Sequence, residues 1–423
     1  MSATGAHGTR TAERLISLQD AERAVLAAVP GALPCERLAL PEALGRVLAR
    51  DVVCSEPLPR FDGSAMDGYA VRAADLRGAG PGSPVLLRVI DESRAGAPSA
   101  AELQAGQAIA ISTGAVIPLG ADAVVPVEAT RSHGEQVEVR SAPAAGEHIR
   151  RAGEDVQSGE TVLSAGTQVG PAELGALGVL GVVAAPCTRR PRLSLLVTGD
   201  ELTAAGAQPG PGGVRDSNSL SIAAMACSCG AEVSRHGAVG DDEDATRRAL
   251  SAALDGFDVA VVCGGVSVGR HDHVKGALAE LGAQEVFWGV ALRPGKPTWF
   301  GTAGQTLVFG LPGNPVSAMV TFTLLVRPAI RALLGVVSRS QPLSAVLDHD
   351  YEKPAGRAHA LRCRVSAERD GWHASSTGAQ GSHVLSSMLA ADALAVIPAE
   401  ASIVRAGERV SLVPLRMWQE PLG

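Results

Sequence analysis

Five short segments of this sequence set glycine beside an acid, a hydroxyl or a base. They are Thr198-Gly199-Asp200-Glu201, Gly240-Asp241-Asp242, Gly264–Asp272, Arg293-Pro294-Gly295-Lys296-Pro297 and Leu311-Pro312-Gly313-Asn314-Pro315. Glycine-rich loops leave backbone N–H groups open to an anion, and a following helix adds its positive end. Gly264, Gly265, Ser267 and Gly269 form the densest such loop. The carboxylates Glu201, Asp241 and Asp272 cannot serve an anion directly. Their natural use is a hard cation held between protein and phosphate, and magnesium is the usual one. Arg293 and Lys296 offset the remaining negative charge. Together these residues imply a phosphate- or pyrophosphate-bearing ligand with a divalent metal.

Each piece taken singly has a plainer explanation. Gly264–Gly269 is neither a dinucleotide fingerprint nor a Walker A loop, and could be a simple strand-to-helix turn. Asn314-Pro315 reads first as a helix cap followed by proline at the first helical position. Glu201 and Asp241 singly fit solvated loop acids. His271 and His273 flank Asp272 without a Cys or third His nearby, which does not favour a transition-metal site. No G-x-S-x-G context supports a hydrolase triad.

The elements that must position these segments alternate. Strands are expected at Leu193–Val197, Glu232–Val239, Asp258–Val262, Glu285–Leu292 and Thr306–Phe309. Helices are expected from a cap at Asn218 to about Cys229, at Glu243–Leu254, at about His273–Leu281 and at Pro315–Leu334. Alternating strands and helices with near-continuous apolar strands predict a doubly wound, mostly parallel α/β domain. Ligands of such sheets bind beyond the carboxyl ends of the strands, where all five glycine-bearing segments fall.

Around this domain the texture differs. Helices are expected near Leu18–Ala28 and at Glu42–Leu48, and another begins at Pro171. Short runs at Val85–Ile90, Gln107–Ile111, Ala123–Pro126 and Gln136–Val139 predict a β-rich module. Runs at Ala345–Asp348, Ala360–Val365, Trp372–Ser375, Ala393–Ile397 and Arg409–Val413 predict a C-terminal β-barrel or sandwich.

Composition narrows the function classes. The 423 residues exceed one core, and 46% hydrophobic content suits a soluble globular chain. Net charge is −7 with no dense basic block and only 3% aromatics, which disfavours nucleic acid as a partner. The seven cysteines lack a C-x-x-C pair and fit a reducing cytoplasm. No segment reads as a signal peptide, and the apolar stretch Leu174–Pro186 is too short to span a bilayer, so no membrane role is expected.

The run Phe61-Asp62-Gly63-Ser64-Ala65-Met66-Asp67-Gly68-Tyr69-Ala70-Val71 resembles the signature of the MoeA/gephyrin molybdenumtransferases. Ser112–Ala115, Arg151–Asp155, Thr198–Leu202, Gly264–Gly269, Pro294–Pro297, Leu311–Ser317 and Gln380–His383 match in the family's order, from about residue 17 onward. The resemblance implies an enzyme that inserts molybdate into adenylyl-molybdopterin with magnesium, releasing AMP. It implies four parts: an extended domain at 17–52 and 158–190, an inserted β-rich domain at 53–157, the α/β domain at 191–338 and a C-terminal β domain at 341–423. It also implies a homodimer whose active site is shared between subunits, and contacts with the preceding adenylyltransferase and with client molybdoenzymes. By the same resemblance, Asp67 and Thr113 reach into the cleft from the other subunit. Glu201, Asp241 and Asp272 form the metal and molybdate end. Lys275, Arg293 and Lys296 face anionic groups, Pro312 and Pro315 shape the ligand loop, and Ser382 and Ser386 lie near pterin or molybdate.

The chain departs from the family pattern at Gly289, where Lys is common, at Arg293, where Lys is frequent, and at Ala379, where His often stands. Two rival functions are molybdopterin adenylyltransfer, usually done by the α/β domain alone, and a non-catalytic scaffold. The inserted module and the tail weigh against the first. The full acidic set weighs against the second.

Overall fold

The computed structural model describes residues 15–240, 242–266, 273–336 and 343–415. The chain divides into two compact units. One is 51–164 with 171–183, and the other comprises 1–50, 165–170 and 184–423.

The smaller unit is built on a six-stranded sheet. Its strands run in the order Ala123–Pro126, Gly68–Val71, Gln107–Ile111, Val85–Ser93, Gln136–Val139 and Thr130–His133. The expected strands are present, and Gly68–Val71 and Thr130–His133 add two more. Val71, Leu76, Leu87, Val125, Val137 and Val139 form an apolar cluster beneath the sheet.

The larger unit holds the α/β sheet. We number its strands β1 (Arg192–Thr198), β2 (Glu232–Val239), β3 (Val259–Cys263), β4 (Gln284–Trp288), β5 (Trp299–Ala303) and β6 (Thr306–Leu311). Its helices are α1 (Asn218–Ser228), α2 (Glu243–Leu254), α3 (Val274–Glu280) and α4, the continuous helical run Pro315–Leu333. The sheet order is β2-β1-β3-β6-β5-β4, with the first three pairings parallel and the last two antiparallel. Every residue of β3 and of β6 is buried, as a sheet covered on both faces requires. Phe300, at full burial, stacks tilted against Phe309 with ring centroids 4.8 Å apart.

Three local expectations are corrected, and one expected helix carries an irregular turn. The expected helix Glu42–Leu48 is a single 3₁₀ turn, Leu40–Ala43. Beyond it the backbone leaves helical geometry, because Gly45 has a φ of 76° and its N–H donates to Val169. The expected strand Glu285–Leu292 ends at Trp288, and Leu292–Arg293 pairs with Ala358–His359 of the C-terminal sheet instead. Asn218 is the first residue of α1 rather than its cap, and its Nδ2 donates to the Gly313 carbonyl at 2.7 Å. In α4 a π-helical turn, Phe322–Val326, precedes Pro328, which has no N–H for the regular ladder. This helix is long and apolar enough to cross a membrane, and 72% of its window is buried inside the protein, as befits a core helix.

The C-terminal strands form a six-stranded sheet in which Ala358–Glu368 pairs with Gly371–Ser376, Ala393–Ile397 and Leu292–Arg293. The double pairing closes the sheet into a barrel around Leu347, Leu361, Ala395 and Leu412.

Two outcomes follow from this packing. Phe309→Ala should lower unfolding free energy by about 3–5 kcal/mol in urea titrations, since the ring has no exposed surface to regain. A loss below about 1 kcal/mol would contradict the packing. In the barrel, burial, aided by nearby Lys353, Arg293 and Arg357, holds His359 down to about 4. An unfolded His titrates near 6.5, so between those values the unfolded chain binds more protons and stability must fall as pH drops. His359→Asn should flatten that slope in melting curves between pH 6.5 and 4. An unchanged slope would contradict the assignment.

Candidate functional site

At the carboxyl ends of β3 and β6 the backbone is held close by glycine. Gly264 and Gly265 have φ values of 94° and 64°, which side chains other than glycine rarely adopt. A Cβ on Gly264 would lie 2.7 Å from the Thr198 carbonyl, and one on Gly265 would lie 2.5 Å from Val274. Gly313 sits against Gly264, where its Cβ would lie 3.6 Å from the Gly264 Cα. These contacts bring the β1, β3 and β6 ends together.

The floor they make opens into a cavity of about 590 Å³. Gly264, Gly265, Pro312, Gly313, Asn314 and Ser317 line it from the sheet ends. Arg293, Pro294, Gly295, Lys296 and Pro297 line another wall, and Arg357, Gln380, Gly381, Ser382 and His383 come from the barrel. The Arg293–Pro294 peptide is cis. Three cations, Arg293, Lys296 and Arg357, face the cavity, and among the described residues no carboxylate lines it. Such a lining favours an anion and offers hydrogen-bond donors with it.

The sheet and barrel walls meet at Asn314. Its backbone occupies the N-cap position of α4, yet its side chain makes no capping bond and donates to Ser382 Oγ at 3.4 Å. Among the described residues its Oδ1 is buried without a partner, as is Thr198 Oγ1 beside Gly264 and Gly265. Buried acceptors and hydroxyls are ordinarily satisfied by protein or water, so orphaned ones beside a cavity mark where a ligand or ordered water is expected.

A second chamber of about 150 Å³ adjoins Arg293 and Gln380 and is lined by Tyr351, Lys353, His359 and Arg362. Arg362 is 1% exposed and donates to Ser387 Oγ and to the Gly381 carbonyl, while its backbone N–H donates to Gln380 Oε1. It therefore fixes the loop that carries Gln380–Ser382 into the main cavity.

Of the residues singled out by sequence, the structure gathers Gly264, Gly265, Arg293, Lys296, Pro312, Gly313, Asn314 and Ser382 around the cavity. Pro315 opens α4 and does not line it. Glu201 stands exposed after β1, its carboxylate folded over Gly199, where a Cβ would lie 2.5 Å from Oε2. Ser386 is exposed on the helix Leu385–Leu389, outside the lining. Lys275 also lies outside the lining, with its ammonium 4.7 Å from the Trp288 ring centroid. Asp67 and Thr113 belong to the smaller unit, where Asp67 Oδ1 accepts the Thr113 N–H at 2.7 Å. Asp241, Ser267, Gly269 and Asp272 lie outside the described residues.

Arg357 and Arg362 were not singled out by sequence. The only signal was an arginine, Arg362, at an inward position of an apolar strand. Among the described residues, one group is close enough to share an ion: Glu368, Asp370 and His373 on a barrel hairpin. There His373 is already satisfied by Asp348 at 2.8 Å and Asp370 at 3.0 Å.

Known proteins share this architecture along nearly the whole chain. Residues 16–181 match the MoeA N-terminal region (domain I and II), 194–332 a probable molybdopterin binding domain, and 344–415 the MoeA C-terminal region (domain IV). The molybdopterin molybdenumtransferase of Haemophilus influenzae is 36% identical over 404 residues, covering 95% of this chain and 98% of its own. Molybdopterin molybdenumtransferase 2 of Mycobacterium tuberculosis is 38% identical over 402 residues, covering 94% and 98%. The molybdopterin biosynthesis moeA protein of Pyrococcus horikoshii OT3 superposes with a TM-score of 0.83 at 30% identity, over 95% of this chain and all of that one. With a closed C-terminal barrel, a glycine-bounded α/β cavity and likeness over nearly its full length, the chain belongs to the MoeA family of molybdopterin molybdenumtransferases.

Proposed function

We propose that this chain inserts molybdate into adenylyl-molybdopterin, releasing AMP and leaving molybdenum on the dithiolene sulfurs. The observation that carries the reading is the cavity with Arg293, Lys296 and Arg357 and no facing carboxylate among the described residues. The names of its relatives support the same chemistry.

The difficulty of the reaction is electrostatic. Molybdate and a dithiolate are both dianions, and two such charges about 5 Å apart at an effective dielectric of about 20 repel by roughly 13 kcal/mol. No uncharged cavity holds them together. Arg293, Lys296 and Arg357 offset this repulsion from fixed positions, so little reorganisation is needed when the reactants meet. The Gly264–Gly265 and Gly313 backbones and Ser382 hold oxyanions by neutral donors, which adds no charge to balance. Arg362 acts behind them by fixing Gly381. Positioning and charge compensation supply most of the rate.

Magnesium suits the hard oxygen donors that the sequence offers. The Glu201 carboxylate is exposed and makes no hydrogen bond or ion pair among the described residues, and Glu201, Asp241 and Asp272 offer only hard oxygen ligands. When bound, the ion would neutralise phosphate charge as the anhydride is cleaved. In the same reading the protein acts in the cytoplasm as a homodimer, and Asp67 and Thr113 serve the cavity of a second copy. The Thr113 N–H holds the Asp67 carboxylate for that use. All seven cysteines are free, in keeping with a reducing compartment.

The test is AMP release from adenylyl-molybdopterin, followed by chromatography, in the presence of molybdate and magnesium. The wild type should release AMP only when both are supplied. Asp241→Ala and Lys296→Ala should each lower turnover by about 10²–10³-fold, the usual loss of a charge-stabilising contact. Release at the wild-type rate by either variant would overturn the assignment.

Gly289→Lys should not improve turnover, although lysine is common at that place in the family. Gly289 has a φ of 83°, and a Cβ would lie 2.8 Å from Leu15, so the substitution is strained. It should lower the melting temperature by several degrees, about 1–3 kcal/mol of strain. A more active, equally stable variant would contradict this.

A further inference from the structure

We infer that Trp288 is a positioning residue for the anion site, holding both the Gly264–Val266 start of the glycine-rich loop and Lys275; this rests on the reading of the cavity as a site for phosphate and molybdate.

Trp288 ends β4, the outer antiparallel strand, and pairs with Trp299 of β5, which pairs with Gly310 of β6. Its indole Nε1–H donates to the Val266 carbonyl at 2.8 Å. Val266 immediately follows Gly265 and lines the cavity, so this bond crosses from the sheet edge to the loop beyond β3. Gly310 makes the crossing possible, since a Cβ there would lie 2.5 Å from Val266 Cγ1. Val266 therefore sits in the space a side chain on β6 would fill, and its carbonyl is within reach of Trp288.

The same ring holds a second group. Lys275, on α3, places its ammonium 4.7 Å from the Trp288 ring centroid. Lys275 has no hydrogen bond or carboxylate partner among the described residues. A cation over an indole face is attracted without being neutralised. A salt bridge would spend the charge. Lys275 lies outside the cavity lining but directly follows Val274, which packs against the lining residue Gly265; the ring orders its long side chain there and leaves its three donors for an incoming oxyanion. One side chain thus fixes the start of the loop by an N–H bond and the following cation by its π face.

The experiment is calorimetric titration of the full-length protein with AMP and magnesium chloride, alongside thermal melting. W288F keeps an aromatic face and loses the N–H donor, and W288L loses both. AMP binding should weaken about fivefold in W288F and about tenfold or more in W288L, from one hydrogen bond and one cation–π contact. Because Trp288 acts through Lys275, the K275M/W288L double variant should bind more tightly than the product of the two single losses. A solely structural role would shift melting without that coupling.

Wild-type affinity in W288F and W288L, or strictly multiplicative losses in the double variant, would overturn the inference while leaving the proposed function intact. If W288L failed to fold, W288F alone would decide, with the hydrogen-bond loss as its readout. Failure of the wild type itself to take up AMP would instead count against the functional reading and remove the inference with it.

Discussion

Everything at the site depends on one backbone contact, the seating of Gly264 and Gly265 against Thr198 at the mouth of the parallel strands. Their geometry puts two peptide units within about van der Waals distance of a neighbouring strand end, where no side chain can stand. Gly313 meets the same point from β6. A methyl group on Gly264 or Gly265 would push the loops apart. The walls of the cavity are loops whose own cohesion is small, and the fully buried β3 and β6 beneath them supply the rigidity.

The barrel completes what the sheet begins. Leu292–Arg293 leaves the α/β sheet to pair with Ala358–His359, so the segment bearing Arg293 and Lys296 is anchored between two cores. Arg362, buried and without a carboxylate partner among the described residues, uses its charge on carbonyl and hydroxyl acceptors that shape the Gln380–Ser382 loop. Burial lowers its proton affinity, as expected for a guanidinium deprived of water, and Arg293 nearby adds to the effect. A net positive interior is costly unless an anion repays it, so the same feature that burdens folding favours binding.

The larger pattern was legible in the sequence because it rests on periodicity and caps. Glu243–Leu254 was found to the residue: Asp242 caps it by accepting the Ala245 N–H, and Thr246, Leu250 and Ala253 turn one face inward. What was missed depended on distant partners. Leu40–Ala43 stops short because Gly45 and Arg46 bond Val169 far along the chain. Gly68–Val71 is a strand by virtue of neighbours at Gln107–Ile111 and Ala123–Pro126, since its own four residues carry no alternation to speak of. Asn314 looked like a cap by its place before Pro315, but its side chain turns to Ser382, a residue 68 positions away. Arg357 lies just before a strand, where neither period marks it.

On the proposed function, the cavity bounded by Gly264, Gly313 and the barrel loop is where the oxyanion meets fixed positive charge. Anomalous diffraction at the molybdenum edge, from crystals soaked with molybdate, AMP and magnesium, tests it most directly. A molybdenum peak within reach of Arg293, Lys296 or Arg357 and Ser382 is the predicted result. Full occupancy by molybdenum elsewhere, with that cavity filled only by water, would contradict it.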